Sequence, residues 1–331
     1  MKSGDFMFFR NKSDSEKNDV PSGRDSVRQG SVHKTPTYLG LSKADREKKA
    51  KELYQISENC TLCPRECKVN RPAGERGRCG AAADVIFCSA GPHYGEENEL
   101  VGRGGSGTIF FVNCNLECIF CQNWTISRGV ERGEIVSIDQ LASMMLSLQN
   151  QGCSNVNLVS PTPYLYQIAA AIDRAADSGL KLPVVYNCGG YEAVEPLRIL
   201  EGFIDIYMPD AKYATDEIGA RYSGVPDYFT RFSASIREMQ RQVGDLVPGP
   251  GNLAYRGLLV RHLVLPDDLA ESEKMARFLS SEVSANCAVN VMAQYYPAYQ
   301  ADDHPPLDRR ITADEFNAAR EAFRRAGLRL L

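Results

Sequence analysis

Residues 108–121 read Thr-Ile-Phe-Phe-Val-Asn-Cys-Asn-Leu-Glu-Cys-Ile-Phe-Cys. The first five residues are β-branched or apolar, which is typical of a buried strand. A C-x3-C-x2-C pattern follows at once and contains Cys114, Cys118 and Cys121. Three thiolates on one tight loop can bind three irons of an iron–sulfur cube and leave the fourth open. An electron carrier or a structural zinc site would instead close its shell with four ligands.

Downstream of this loop, short apolar runs alternate with stretches of helical periodicity. Strands are predicted at 108–112, 156–159, 182–186, 204–208, 258–265 and 289–292. Helices are predicted at 42–57, 138–148, 164–177, 195–200, 268–283 and 312–326. Strands separated by helices indicate parallel βαβ units with right-handed crossovers. We therefore expect an α/β fold, an open partial (β/α)6 TIM-like barrel with its chemistry at the C-terminal ends of the strands.

Composition narrows the protein class. The chain has 331 residues, a net charge of −4 and a hydrophobic fraction of 43%, as expected of a soluble globular protein. The slight acidity disfavours nucleic acid and anionic membranes as general partners. We find neither an apolar run of ~18 residues nor a secretory signal, so the expected location is the cytoplasm. In that reducing compartment the 11 cysteines predict metal binding or redox chemistry before disulfides.

The cysteines also divide the chain. Residues 1–41 contain none and are predicted to be a disordered or loosely attached tail. Residues 42–104 are predicted to form a helix and a cysteine-rich metal-binding segment, and residues 105–331 the core domain. A second metal site is expected at a C-x2-C-x3-C-x11-C set, namely Cys60, Cys63, Cys67 and Cys79. Its spacing fits an iron–sulfur cluster that relays electrons, which we prefer slightly, or a structural zinc.

Several segments besides the three-cysteine loop resemble one enzyme family. They are residues 105–111, 121–123, 186–192, 205–212 and 256–266. Together with the loop after the first strand, they resemble the pyruvate formate-lyase activating-enzyme group of the radical S-adenosylmethionine (SAM) superfamily. More narrowly, they resemble its relatives with an N-terminal cysteine-rich segment. The resemblance covers the chain from about Cys60 to the C-terminus.

The resemblance implies the cofactors and their contacts. A [4Fe–4S] cluster would bind SAM through its open iron, and one injected electron would cleave SAM to methionine and a 5′-deoxyadenosyl radical that abstracts a hydrogen atom. The implied cluster ligands are Cys114, Cys118 and Cys121. Phe120 would lie beside the adenine. By matching position, the SAM-holding residues are Asp210, Lys212 and Arg261.

One departure concerns the segment after the second predicted strand. The family carries a Gly-Gly-Glu run there that receives the SAM amino group, whereas this chain has Ser-Pro-Thr-Pro at 160–163. We predict that the Ser160 and Thr162 hydroxyls take over as acceptors. Cys188 follows the third strand and is either a hydrogen-atom donor or acceptor, or a small buried residue. A group of His93, Glu96 and Glu97 is interpreted as solvated loop residues in preference to lining the entrance.

The sequence thus leads to a radical SAM enzyme that resembles glycyl-radical-enzyme activases. Its expected partners are a low-potential electron donor and a protein or peptide substrate. Radical modification of a peptide or a small molecule is the alternative. A non-catalytic iron–sulfur or zinc protein that transfers electrons or binds a partner is the hypothesis from another class.

Overall fold

The computed structural model describes residues 35–129 and 133–331. Its strands form one sheet in the order β10-β9-β8-β6-β5-β4-β2-β1-β3, with β7 paired to β8. The strands are β1 (Val85–His93), β2 (Ser106–Phe111), β3 (Glu134–Val136), β4 (Val156–Val159), β5 (Val184–Cys188), β6 (Ile206–Pro209), β7 (Val247–Pro248), β8 (Ala254–Leu263), β9 (Ala288–Met292) and β10 (Arg329–Leu330).

Helices separate most of the parallel strands. They are α1 (Lys43–Glu58), α2 (Asn98–Val101), α3 (Trp124–Ser127), α4 (Ile138–Asn150), α5 (Leu165–Asp177), α6 (Val194–Ile199), α7 (Asp216–Ser223), α8 (Tyr228–Val243), α9 (Ser272–Phe278) and α10 (Ala313–Arg325). Within the described residues, no helix has the length and apolar character needed to cross a lipid bilayer.

The parallel part of the sheet contains all six predicted strands. The strands β2, β4, β5, β6, β8 and β9 pair in parallel in that order. Their side chains are buried on both faces, as in Val184–Cys188, where all five residues are buried. Such burial produces the continuous apolar runs by which the strands can be predicted. The prediction of an α/β fold with a partial barrel is therefore confirmed.

Some elements were not predicted. Strand β1 pairs antiparallel with both β2 and β3, so it extends the barrel sheet upstream of the first predicted strand. Its sequence contains a glycine and a proline, which weaken the strand pattern. Helix α8 is rich in Arg and Gln, but it buries Phe232, Ile236, Met239 and Val243 at helical spacing. Its apolar stripe is narrow, which explains why the pattern was missed.

The chain packs against the barrel before residue 42. Thr37–Gly40 forms a 3-10 helix, and the backbone N of Thr37 donates to Asp205 Oδ1 at 2.7 Å. Tyr38 is fully buried and its hydroxyl donates to the Leu182 carbonyl at 2.9 Å. Residues 1–34 of the predicted tail lie outside the described residues. The last residues of the range that the sequence assigned to the tail are therefore part of the packed structure.

Residues 59–84, here called the cysteine segment, contain neither a helix nor a strand in the structure. Backbone hydrogen bonds hold it in turns, including Cys60 N to the Val69 carbonyl at 2.9 Å and Lys68 N to the Cys60 carbonyl at 3.0 Å. It joins α1 to β1. The segment therefore runs directly into the barrel sheet.

Candidate active site

The cysteine loop, residues 113–121, begins directly after β2, where the parallel strands end. Asn113 has a left-handed φ of 78° that turns the chain out of the strand. The C-terminal end of α7 anchors the loop: Glu117 N donates to the Ser223 carbonyl at 3.1 Å, and Ile119 N to the Tyr222 carbonyl at 3.0 Å. Two backbone hydrogen bonds thus hold the loop against α7.

The three sulfur atoms of this loop all lie within hydrogen-bonding distance of a polar group. The pairs are Cys114 Sγ with Leu116 N at 3.4 Å, Cys118 Sγ with Ser223 Oγ at 2.9 Å and Cys121 Sγ with Ser127 Oγ at 3.3 Å. Burial raises the pKa of Cys114 to about 12, and the charges of Cys118 and Cys121 oppose its ionisation further. The Cys114 thiol is thus protonated when no metal is bound, and a bound metal would stabilise its thiolate.

This donor set fits an iron–sulfur cluster. Soft thiolates are the ligands that such clusters take, and hydrogen bonds to the sulfurs tune the reduction potential. Among residues 35–129 and 133–331, no group of His, Cys, Asp or Glu side chains is arranged around a single-ion position. A cluster instead takes each cysteine on a different iron. Cys114, Cys118 and Cys121 would therefore hold it.

Lys212 lies beside the cysteine loop at the C-terminal end of β6. Its Nζ is 2.7 Å from Asp210 Oδ2. Burial would lower the pKa of Lys212, but the charges of Asp210 and Cys118 outweigh burial and raise it. A Cβ at Gly189 would lie 2.8 Å from Leu116 and 3.7 Å from Lys212, so only glycine leaves this space open. The structure thus groups Asp210 and Lys212 with the loop, and their contact with SAM stays a prediction.

Arg261 lies on β8 next to Asp210, and its carboxylate partners were not predicted from the sequence. Its Nε donates to Glu97 Oε1 at 2.8 Å, its Nη2 is 2.6 Å from Glu97 Oε2, and it also pairs with Glu96. Asn290 Nδ2 donates to the same Glu97 oxygen at 2.8 Å. Burial acts against ionisation of Glu96, but a hydrogen bond with His93 and the Arg261 charge lower its pKa to about 2.

These contacts correct the interpretation of Glu96 and Glu97 as solvated loop residues. The exposed fraction of Glu97 is only 7%. The carboxylates approach the barrel because β1 brings the chain alongside β2, and that strand was not predicted. The available signal was an arginine on a predicted buried strand, since a buried guanidinium requires anionic partners, but nothing local in the sequence identified Glu96 and Glu97 as those partners. Arg261 is therefore already engaged by carboxylates of its own chain.

The segment after β4 contacts a further residue whose role was not predicted, Glu192, which follows β5. Thr162 Oγ1 donates to Glu192 Oε1 at 2.8 Å, and the Tyr186 hydroxyl donates to Glu192 Oε2 at 2.9 Å. Burial raises the pKa of Glu192 to about 7, and these hydrogen bonds only partly oppose that rise. A buried carboxylate thus lies next to the segment that lacks Gly-Gly-Glu. Ser160 adopts a left-handed φ of 59° at the end of β4.

Cys188 and Phe120 are both buried. Cys188 ends β5, and burial raises the pKa of its thiol, as does the charge of Glu192. Phe120 makes edge-to-face contacts with Tyr213 and Tyr295, at centroid distances of 6.3 and 6.0 Å. Their roles as hydrogen-atom partner and adenine neighbour stay predictions.

The cysteine segment covers one side of the cysteine loop. Arg65 Nε donates to the Asn115 carbonyl at 2.9 Å, and Arg78 Nε is 2.7 Å from Glu117 Oε1. The four cysteines of the segment line one cavity, and the lining comprises Cys60, Leu62, Cys63, Cys67, Arg71, Gly77, Cys79, Asn115, Thr162 and Pro163. The structure therefore brings together all four residues of the predicted second metal site. All eleven cysteines lie in the described part of the chain, and none forms a disulfide.

Two solved structures resemble the chain at low similarity. A radical SAM methyltransferase from Sphaerobacter thermophilus is 13% identical, with a TM-score of 0.47 over 77% of this chain and 70% of that chain. A methylornithine synthase is 12% identical, with a TM-score of 0.44 over 89% of this chain and 73% of that chain.

An uncharacterized protein of Methanocaldococcus jannaschii is 33% identical over 284 residues, which span 83% of this chain and 77% of that protein. The family model of the radical SAM superfamily matches residues 108–244. That match begins in the strand that carries the cysteine loop. The chain belongs to the radical SAM superfamily, which implies a [4Fe–4S] cluster and SAM as its cofactors.

Proposed function

We propose that this protein is an activating-enzyme-like radical SAM oxidoreductase that removes a hydrogen atom from a backbone glycine of a partner protein. The observation that supports this proposal is the convergence of the segments that resemble activating enzymes. Asn115 of the cysteine loop donates to the Tyr191 carbonyl at 2.5 Å, Lys212 Nζ lies 2.7 Å from Asp210 Oδ2, and Asp210 forms a β-bridge with Arg261. The segments that carry the resemblance thus lie at the candidate site.

The chemistry divides between the cofactors and the chain. When bound, the cluster and SAM supply one-electron cleavage of SAM to methionine and a 5′-deoxyadenosyl radical. Lys212 and Asp210 would hold the charged amino-acid moiety of SAM, since a cation and a carboxylate match its carboxylate and amino groups. Transfer of a hydrogen atom from the substrate leaves 5′-deoxyadenosine and a substrate radical. The electron comes from an external low-potential donor.

The open sheet is compatible with a polypeptide substrate. Its described strands end at β10 on one edge and at β3 on the other, so the barrel does not close. A peptide or a small molecule handled directly is the second candidate. The Ser-Pro-Thr-Pro sequence at 160–163 favours it, because this departure lies where the family binds the SAM amino group. For either substrate we propose a cytoplasmic location, where the cysteines stay reduced.

The first experiment tests radical SAM chemistry. The full chain is reconstituted anaerobically with iron and sulfide, incubated with SAM and dithionite, and assayed for 5′-deoxyadenosine. A triple Cys114→Ala, Cys118→Ala, Cys121→Ala variant should form none above background, whereas Cys153→Ala, outside both cysteine groups, should retain activity. An iron-loaded wild-type protein that forms no 5′-deoxyadenosine would contradict the proposal.

The second experiment separates the substrates. Peptides and candidate partner proteins that carry α-deuterated glycine are incubated with the active enzyme. Deuterium in 5′-deoxyadenosine, together with a glycyl radical signal in electron paramagnetic resonance, supports the activase function. Deuterium transfer only from other labelled positions or from small molecules would support the second candidate.

A further inference from the structure

Arg71 is a buried cation beside the four cysteines of the cysteine segment. Its exposed fraction is 1%, and it lines the same cavity as Cys60, Cys63, Cys67 and Cys79. Its Nη2 donates to the Ala82 carbonyl at 2.9 Å, but its Nε has no hydrogen-bond partner among the residues that the structure describes. The ion pairs found within residues 35–129 and 133–331 include Arg65 and Arg78 of the segment, but not Arg71. A buried positive charge therefore lacks a carboxylate counter-charge in this part of the chain.

Such an arrangement is costly unless an anion lies nearby. Removing a guanidinium from water costs several kcal/mol when no opposite charge compensates it. Neutral thiols do not compensate, because an S–H group is a weak donor and acceptor without charge. Four thiolates around a metal centre retain net negative charge, and their sulfurs accept hydrogen bonds. A metal–thiolate centre would thus supply what Arg71 lacks.

We propose that Cys60, Cys63, Cys67 and Cys79 bind a second metal centre through four thiolates, with Arg71 as its buried counter-charge. This inference rests on the geometry of the cysteine segment and is independent of the proposed substrate. Both an iron–sulfur cluster and a zinc ion take four thiolates, but the cluster fits better, since no His, Cys, Asp or Glu group in residues 35–129 and 133–331 is arranged around a single-ion position. The measurements below distinguish the two.

The backbone around Cys67 supports a ligand role. Arg78 N lies 3.2 Å from Cys67 Sγ and donates to it, which is the kind of hydrogen bond that stabilises a metal-bound thiolate. A Cβ at Gly77 would lie 3.3 Å from the same sulfur, so glycine lets the backbone approach closely. The metal also explains how residues 59–84 stay folded without regular secondary structure, since metal binding supplies folding free energy.

The centre would lie next to the cysteine loop. Asn115 lines the same cavity and directly follows Cys114 in the chain. Thr162 lines it as well, and its hydroxyl contacts Glu192 at the candidate active site. An iron–sulfur cluster at this position would place an electron carrier next to the loop that needs an electron.

The test uses the full chain with Cys114, Cys118 and Cys121 all changed to Ala, so that only the second site remains. After anaerobic purification and reconstitution, elemental analysis should find about four irons or about one zinc per chain, depending on which centre binds. Further Cys63→Ala and Cys79→Ala changes should remove it. The control adds Cys153→Ala and Cys287→Ala instead and should keep the metal. Absence of both metals from the triple variant would overturn the proposal.

Arg71 is tested separately in the same background. Arg71→Met should weaken metal retention against a chelator about 10- to 100-fold, because the counter-charge next to the ligands is lost. Arg76→Met, which changes an exposed arginine of the same segment, should have no effect. For an iron–sulfur cluster, the electronic absorption or paramagnetic resonance spectrum should shift in Arg71→Lys, which keeps the charge and alters the donor geometry. Unchanged metal retention in a folded Arg71→Met protein would contradict the counter-charge role.

Discussion

The parallel strands of the barrel and the cysteine segment differ in how their residues are held. In the strands, side chains such as Leu158 and Tyr207 are fully buried, and neighbouring backbones pair in register. The cysteine segment has no regular elements and contacts the cysteine loop mainly through arginines, with Glu117 forming ion pairs with both Arg65 and Arg78.

This difference assigns separate energetic roles to the two regions. Apolar burial stabilises the barrel cooperatively, so the strands need no metal to form. Ion pairs at partly exposed positions contribute little to stability, so the proposed metal centre would supply much of the folding free energy of the cysteine segment. The cysteine loop lies at the junction. Four substitutions test the comparison, in order of decreasing effect.

Leu158→Ala probes the barrel core in β4. The leucine is fully buried, and we expect a loss of about 3–4 kcal/mol in the free energy of unfolding, because the change leaves a cavity. Denaturant titration of the full chain measures it, with the exposed Ile135→Ala in β3 as a control. A loss below about 1 kcal/mol would show that this part of the sheet is not the cooperative core.

Glu192→Gln probes the boundary between the barrel and the cysteine segment, because the Glu192 charge acts on the Cys63 thiol of that segment. Burial raises the Glu192 pKa from 4.5 to about 7, so the folded protein binds this proton more tightly than the unfolded chain. This preferential protonation stabilises the folded protein fully below pH 4.5, and the stabilisation is lost as pH rises through 7. The loss is up to about 3 kcal/mol in the free energy of unfolding.

The amide introduced by Glu192→Gln does not titrate, so the stability of this variant relative to the native protein should increase between pH 4.5 and 7. Thermal unfolding at a series of pH values measures both proteins. A constant difference across that range would mean that the carboxyl is not protonated preferentially in the folded state.

Lys212→Met removes a cation that belongs to the barrel. Loss of a charge-assisted contact with SAM should weaken SAM binding about 10- to 100-fold while leaving the fold intact. Equilibrium binding to the reconstituted protein measures it. The more exposed Lys274→Met is the matched control. Equal SAM affinities in both variants would remove Lys212 from the SAM site.

Glu117→Gln breaks the contacts between the two regions. Its carboxylate lies 2.7 Å from Arg78, 3.9 Å from Arg65 and 3.8 Å from Arg128. Because the pairs are partly exposed, we expect at most about 1 kcal/mol in global stability. Amide hydrogen exchange within residues 59–84 should nevertheless accelerate. The exposed Glu321→Gln should change neither, and equal exchange in both variants would show that Glu117 does not hold the cysteine segment.

The fold was largely predictable because the parallel strands carry continuous apolar runs. Strand β1 was missed because glycine and proline interrupt it, and its pairing partners are set by the sheet. The predicted helix at 268–283 divides into a 3-10 turn, α9 and a π-helical turn, Leu279–Val283. Local propensity does not specify such a change of helix type.

The candidate site was predictable only in part. The positions of Cys114, Cys118 and Cys121 follow from adjacency in the chain, since one loop carries all three. The Arg261 pair with Glu97 joins residues that are 164 positions apart. The contact of Thr162 with Glu192 likewise depends on two neighbouring strand ends.

By itself, the sequence determined the cysteine spacing, the six parallel strands and the segments that resemble the superfamily, because cysteines on one loop and buried strands leave local patterns. Only the tertiary structure decided that the cysteine segment packs on the cysteine loop, that Arg71 lies among the segment's cysteines with its Nε unsatisfied within the described residues, and that Arg261 is engaged by Glu96 and Glu97. These are contacts between distant parts of the chain. Their energies depend on burial and on opposing charge, which no local pattern contains.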